Sequence, residues 1–374
     1  MLIGIDASRA AVQQRTGTEV YSLHVIRSLL ALGAPHRYVL YTPAAPSPGL
    51  FPGRDGSAAA SLRVIPFPRL WTHVRLSTEM ALRPPDVLFV PAHVLPLVHP
   101  RSSVVTVHDL GYLAYPEAHT TFARHYLDRS TAWNARRAAA VLADSAATKS
   151  DLVRAYAARP EKIHVVHLGR DETLVRVADP LRVAEIRQRY GLAERYLLYV
   201  GTLQPRKNLQ RVVEAFARIA GQAGQGDVQL VLAGKRGWLY DQLFEQVKRS
   251  GLSGRVVFPG YVPDEDLAAL LSGATGFVYP SLYEGFGLPV LEAGGCGVPV
   301  ITSNTSSLPE VAGDAALLVD PHDVDEIAEA MMRILTDEAL RAELARRGLE
   351  NMKRFSWEKC ARETLAVLES VGTK

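Results

Sequence analysis

The chain reads as an α/β protein built on two doubly wound parallel sheets. Short apolar runs alternate with amphipathic helical stretches, the pattern of repeated βαβ units. The apolar runs fall into two series, separated near residue 175. At 374 residues and 48% hydrophobic, the chain can bury two medium-sized cores.

The first series of strands is predicted at Leu2 to Asp6, Tyr38 to Tyr41, Val87 to Val90, Val104 to Val107, Ala140 to Ala143 and Ile163 to Val166. Glu19 to Leu32 places Val20, Leu23, Ile26 and Leu30 at helical spacing, with Thr18 as N-cap and Gly33 as stop signal. Pro43 to Ala60 is rich in Pro, Ala, Ser and Gly and has no periodicity, which predicts a long loop. A helical linker over Ala178 to Tyr190 leads to the second series: Tyr196 to Val200, Gln229 to Ala233, Val256 to Phe258, Gly276 to Tyr279, Val298 to Thr302 and Ala316 to Val319. The expected division is residues 1–175, residues 176–355, and a C-terminal helix over 356–374 packing back toward the first domain. No short tandem repeat is present.

Composition excludes several classes. Cys296 and Cys360 are the only cysteines, so neither a disulfide framework nor a Cys-rich zinc site is expected. The start, Met1 to Asp6, lacks a basic leader and reads as a buried strand, not a signal peptide. No run reaches the roughly 20 apolar residues of a membrane span. The expectation is a cytoplasmic protein. A net charge of +3 gives no support to nucleic-acid binding. Charge is nevertheless uneven: residues 1–180 hold 20 Lys and Arg against 14 Asp and Glu, whereas residues 181–374 hold 22 against 25. The basic first half suits an anionic lipid-linked acceptor or peripheral contact with the inner membrane face, or is simply a differently solvated surface.

The richest stretch is Ser281-Leu-Tyr-Glu-Gly-Phe-Gly-Leu-Pro-Val-Leu-Glu-Ala-Gly294. Glu284 and Glu292 bracket a glycine-rich turn at the end of a predicted strand, and Pro289 suits the first position of the following helix. Gly285 and Gly287 permit close backbone approach, and free N–H groups at a helix start favour an anion or hydroxyl oxygens. A helix beginning at Pro289 would put Glu292 in its first turn, leaning back toward the loop. Carboxylates accept paired hydrogen bonds from vicinal hydroxyls, although both glutamates are also explained as solvated helix-end charges. A second strand, Tyr196 to Val200, ends at Gly201 and presents Arg206 and Lys207 before an amphipathic helix containing Val212, Val213, Phe216 and Ile219. Two cations there suit a diphosphate, or merely face water. In the first half, Ser103 to Gly111 places His108 and Asp109 at a strand end. A capping Asp109 and an internally satisfied His108 are the alternative. Asp264-Glu-Asp266 and Asp323-Val-Asp325 precede apolar helical runs and read as helix caps. His93 and His119 show no metal-ligand spacing, and no catalytic metal is expected.

Ser281 to Gly297, continuing through Val298-Pro-Val-Ile-Thr-Ser-Asn-Thr-Ser-Ser-Leu-Pro-Glu-Val311, resembles the donor-site signature of the retaining glycosyltransferases of family four, including mannosyltransferases. The resemblance spans nearly the whole chain and is densest from Tyr199 to Val319. It implies the GT-B fold, two Rossmann-like domains facing across a cleft, and hexosyl transfer from a nucleotide diphosphate sugar to a saccharide or lipid-linked acceptor. The donor is implied to be GDP-mannose or a UDP-sugar, with no cofactor. Carried over by position, Glu284 meets the transferred sugar and Glu292 the nucleotide ribose. Arg206 and Lys207 meet the phosphates, and His108 lies against the donor sugar. Gly285, Phe286, Gly287 and Leu288 present amides to the donor. Gly17, in the turn Arg15-Thr-Gly-Thr18, resembles the family's glycine loop near the phosphates, although Glu19 stands where a second glycine is common. Gly201 closes the donor strand, where Thr202 replaces an arginine found in some members. Gly260-Tyr-Val262 resembles the segment that meets the base through its backbone, so Tyr261 and Val262 join the donor site. Acceptor recognition is implied for variable loops such as Pro43 to Ala60 and Phe67 to Arg75. Alternatives on the same fold are a sugar-nucleotide epimerase, a phosphorylase, or a non-catalytic sugar-nucleotide-binding protein. A dinucleotide-dependent dehydrogenase is disfavoured because the first strand lacks the full G-x-G-x-x-G turn.

Overall fold

The computed structural model describes every residue except 13–16, 34, 52–59, 93, 119, 223, 225, 238–239 and 374. Arg15 and Thr16 of the glycine turn, the last part of the 43–60 segment, His93 and His119 thus lie outside the described residues. The chain divides into one unit of Met1–Gly169 with Phe355–Lys374 and a second of Arg170–Arg354.

The first unit runs β1 (Leu2–Asp6), α1 (Gly17–Ala31), β2 (Arg37–Thr42), β3 (Ala60–Val64), α2 (Ser77–Leu82), β4 (Val87–Val90), β5 (Ser103–Val107), α3 (Gly111–Ala114), α4 (Thr121–Arg137), β6 (Ala140–Ala143), α5 (Ala146–Tyr156) and β7 (Ile163–Val165). Its seven strands are all parallel, in the order β3-β2-β1-β4-β5-β6-β7. Strands such as Val-Leu-Phe-Val and Ala-Val-Leu-Ala are apolar on both faces and wholly buried, as a sheet covered on both sides requires. β3 was not expected from sequence. It is an edge strand with Leu62 and Val64 exposed, held by pairing to β2 and not by burial, so it lacks the apolar signature of its neighbours. α1 begins at Gly17, so Thr18 is not its N-cap but lies in the first turn, where its carbonyl accepts from Ser22 Oγ at 2.8 Å.

The second unit contains α6 (Pro180–Tyr190), β8 (Tyr196–Val200), α7 (Leu209–Ala220), β9 (Gln229–Ala233), α8 (Tyr240–Arg249), β10 (Val256–Gly260), α9 (Asp264–Ser272), β11 (Gly276–Tyr279), α10 (Leu288–Gly295), β12 (Val300–Ser303), α11 (Leu308–Ala312), β13 (Ala316–Val319), α12 (Val324–Thr336) and α13 (Glu338–Asn351). The six strands are parallel, in the order β10-β9-β8-β11-β12-β13. Strand order reverses between β8 and β11, and in such sheets ligands bind outside the carboxyl ends of the strands at that reversal. α14 (Trp357–Gly372) belongs to the first unit, where Trp357 stacks on His24 of α1 at 4.9 Å and Glu369 meets His36 at 2.8 Å.

Two helix starts differ from expectation. α10 begins on Leu288, because Gly287 at φ +112° starts the helix one residue before Pro289. Glu292 is therefore the fifth helical residue and lies beyond the first turn. Asp323 caps α12, accepting from the amides of Asp325 and Glu326. Asp266 caps nothing. It is buried between α6 and α9, accepting from Arg182 and Arg189 at 2.7 Å each and from the Tyr190 hydroxyl at 2.7 Å.

Candidate active site

In the second unit, the loops after β8 and β11 leave the same sheet edge and are tied together. The Arg206 carbonyl accepts from Leu282 N at 2.9 Å and from Ser281 Oγ at 3.1 Å. Asn208 Nδ2 donates to the carbonyls of Pro280 and Pro321 at 3.0 and 2.6 Å. Asn208 itself stands at φ +62°, ending the tight turn Pro205–Lys207 and opening α7. The first amides of α7, which follows directly on the Arg206 and Lys207 turn, have no side-chain cap from Asn208. Gly234 permits the close approach of the two strand ends, since a Cβ there would lie 1.9 Å from the Gly201 carbonyl oxygen, and Gly201 itself stands at φ +151° with the Tyr199 hydroxyl 2.7 Å from where its Cβ would sit.

Arg206, Lys207 and Glu284 converge in this pocket. Glu284 Oε1 accepts from Lys207 Nζ, from Ser281 Oγ at 2.6 Å and from the Tyr279 hydroxyl at 3.0 Å. Its Oε2 accepts from Arg206 Nη1 at 2.8 Å, and Arg206 also donates to the Tyr283 carbonyl. Lys207 Nζ sits 2.5 Å from the Tyr279 hydroxyl and 4.9 Å over the Tyr279 ring. Burial alone would raise the Glu284 pKa, but the charges of Lys207 and Arg206 and the hydrogen bonds from Lys207 and Ser281 hold it at about 2.

Glu292 is the opposite case. Among the described residues its side chain has no hydrogen-bond or ion-pair partner, while burial, then Asp171 and Asp264, push its pKa up to about 7. Its carboxyl group is open to an incoming donor of hydrogen bonds. Phe286 is buried, and Gly287 is bounded by Leu308, whose Cδ2 is 2.7 Å from where a Cβ would sit. Gly285 and Leu288 complete the turn between the two glutamates. At the end of β10, the Gly260 carbonyl accepts from Gly234 N at 2.7 Å, Tyr261 is exposed beneath Lys235 Nζ, and Val262 is buried, leaving only its backbone for contact.

In the first unit, His108 follows β5. Its Nδ1 lies 2.7 Å from Asp144 Oδ2 and its Nε2 lies 3.1 Å from the Pro91 carbonyl. Both neighbours can accept from the ring nitrogens, an arrangement that favours the protonated ring. Burial opposes that charge, but Asp144 outweighs it and raises the His108 pKa. Asp109 turns aside and caps the following turn, accepting from Gly111 N at 2.8 Å. A pocket of about 270 Å³ with a mixed lining lies beside His108, bounded by Arg9, Glu19, Val94, Tyr112, Leu127 and Asn134. Gly17 opens α1 exposed, and a Cβ there would meet nothing.

Sequence reading did not select Tyr279, Ser281 or Asp144. Asp144 carried the same signal as His108, a polar residue directly after a buried strand, Ala140 to Ala143. Tyr279 reads only as an apolar strand residue. Its hydroxyl role appears once β8 and β11 are neighbours. Among the described residues, no group of three or more His, Cys, Asp or Glu is placed to hold a metal ion, and no helix is long and apolar enough to cross a membrane.

Residues 15–174 match the model described as Glycosyltransferase Family 4, and residues 183–351 match that of Glycosyl transferases group 1. The chain is 39% identical over 264 residues to the O-antigen chain mannosyltransferase B of Escherichia coli, covering 70% of this chain and 69% of that protein. It is 36% identical over 182 residues to the serotype-specific mannosyltransferase WbdA of Escherichia coli, but spans only 22% of that protein's length. The Anabaena HepE structure in complex with UDP and glucose superimposes with a TM-score of 0.75 at 20% identity, covering 99% of each chain. The two parallel sheets, their strand order and these matches together identify the chain as a glycosyltransferase of group 1 and family 4, with the GT-B fold.

Proposed function

We propose that this glycosyltransferase moves a mannosyl group, with retention of configuration and without a metal ion, from a nucleotide diphosphate sugar to a saccharide or lipid-linked acceptor in cell-surface glycan synthesis. The single observation that carries the donor assignment is that the loops after β8 and β11 leave one sheet edge bearing two cations, Arg206 and Lys207, and lead to Glu292, whose carboxyl group has no hydrogen-bond or ion-pair partner among the described residues. Two cations and the helix-start amides of α7 can receive a diphosphate, and an open carboxylate can accept both hydroxyls of a ribose.

The leaving diphosphate gains negative charge as the glycosidic bond breaks. Arg206 and Lys207 would stabilise that charge more in the transition state than in the bound donor, which accelerates bond cleavage. His108 is assigned to the sugar by the family resemblance alone, and its contacts with Asp144 and the Pro91 carbonyl give no support to a general-base role. No side chain is assigned as a covalent nucleophile, so same-face attack assisted by the leaving phosphate is the course that supports retention. GDP-mannose is the first donor to test, because the E. coli relatives are named mannosyltransferases. UDP-sugars are the second, because the HepE structure holds UDP and glucose. The basic first half adds a peripheral contact with anionic membrane lipid.

Purified protein incubated with labelled GDP-mannose or UDP-sugars and a mannose-terminated acceptor should give an α-linked product from an α-linked donor, unchanged by EDTA. A β-linked product would overturn retention, and loss of activity in EDTA would overturn metal independence. Isomerised donor formed without acceptor would overturn transfer in favour of epimerisation.

A further inference from the structure

Glu284 lies in the donor turn with both carboxylate oxygens already engaged inside the protein, one on each of two cations. An ionised carboxylate offers about four lone-pair sites. Glu284 Oε1 accepts from Lys207, Ser281 and Tyr279 and its Oε2 from Arg206, so both oxygens are engaged by the protein, while its side chain is only 9% exposed. A group that reads sugar hydroxyls needs vacant acceptor positions, as Glu292 has. A group that stands in for an absent anion needs the arrangement Glu284 shows: one carboxylate bridging two cations that the diphosphate would also contact.

We propose that Glu284 is a positioning residue, the resident counter-ion of Arg206 and Lys207. This rests on the donor-site reading above and adds a role for the carboxylate. It draws Lys207 against Tyr279 and Arg206 onto the Tyr283 carbonyl, so both cations are held at the sheet edge before a donor arrives. It also moderates their grip on phosphate. Two cations and one carboxylate leave a net charge of +1, and an arriving diphosphate competes with Glu284 for the same N–H groups. The nucleoside diphosphate product is therefore held less tightly than two free cations would hold it, which favours its release.

The test is Glu284→Gln, an isosteric change that keeps one acceptor oxygen and removes the charge. Binding of GDP and UDP, without sugar, is measured by calorimetry on the full chain at several salt concentrations. The expected result is diphosphate affinity raised about tenfold, the size of one partly screened charge pair, with a steeper salt dependence. Turnover should fall while product inhibition tightens, a split that simple loss of structure does not produce. Unchanged or weaker diphosphate affinity would overturn the proposal and return Glu284 to a sugar-contact or purely structural role. If the single variant does not fold, Lys207→Met with Glu284→Gln is compared with Lys207→Met alone. Several-fold tighter binding in the double variant supports the proposal, and equal or weaker binding overturns it. If wild-type protein binds neither GDP nor UDP, the donor-site reading itself fails. If wild type binds and the variants do not tighten, only the counter-ion role fails.

Discussion

At the scale of single residues, the two glutamates of one motif occupy opposite electrostatic environments, eight positions apart. Glu284 is held near pKa 2 by two cations and Glu292 is lifted to about 7 by burial. Their linkage to folding has opposite sign. The depressed Glu284 contributes stability above its unfolded value of 4.5 that is lost as pH falls toward 2. The raised Glu292 contributes stability that is present below 4.5 and lost as pH rises through 7. Glu292→Gln should therefore raise the melting temperature more at pH 8 than at pH 5, with a difference on the order of 3 kcal/mol by linkage. Equal shifts at the two pH values would show that the carboxyl group does not titrate there. Lys207 is tested by kinetics: Lys207→Ala should lower kcat/KM by about 10²- to 10³-fold if it stabilises the departing phosphate, as measured for single groups that bind developing charge. A change within a few-fold would remove that role. Both glutamates could be picked from the sequence because the glycine turn marks them. Their environments could not, since Lys207 and Glu284 are 77 positions apart.

At the scale of elements, strands apolar on both faces were legible because burial in a parallel sheet imposes that composition. β3 was not, because an edge strand is held by ladder hydrogen bonds that leave no apolar run. The start of α10 shows a different limit. Pro289 marks a helix start only to within a residue, and Gly287, by adopting φ +112°, moved it back by one. Asp266 illustrates how a polar residue misleads. Its position ahead of an apolar run is that of a cap, but the folded chain uses it to join α6 to α9 through Arg182, Arg189 and Tyr190. Asp266→Ala would leave those donors facing a buried gap. Because both arginines are partly exposed and can turn to water, the expected effect is a modest one, read as a lower urea midpoint with unchanged slope. A midpoint within error of wild type would mean the arginines find other partners.

At the scale of the whole molecule, charge and apolar exposure coincide in the first unit. Phe67, Leu70 and Val74 are exposed, Leu70 by 67%, along a segment that also carries Arg63, Arg69, Arg75 and Arg83. Buried Glu79 pairs with Arg63 and Arg75, so the arginines are held on that face by a single carboxylate and leave it net positive. This combination suits anionic lipid, with charge drawing the protein in and apolar side chains entering the headgroup boundary. Co-sedimentation with vesicles containing phosphatidylserine should exceed that with neutral vesicles, fall at high salt, and drop further for Leu70→Glu. Equal binding to both vesicle types would assign the patch another purpose.

Composition and periodicity were enough to establish two parallel α/β sheets and to mark the strand ends that bear polar residues. Local physics sets those features: a strand buried on both faces must be apolar, and a chain leaving it must turn. The motif strings carried the family for the same reason, since each is a short contiguous run at a strand end. Tertiary structure alone settled which charges cancel. Neighbouring β8 and β11 bring Arg206 and Lys207 onto Glu284 while Glu292 remains open, and neighbouring β5 and β6 set His108 against Asp144, which raises the pKa of the ring. Such pairings depend on distances of a few ångströms between residues far apart in the chain, and Coulomb energy falls with that distance and not with sequence separation.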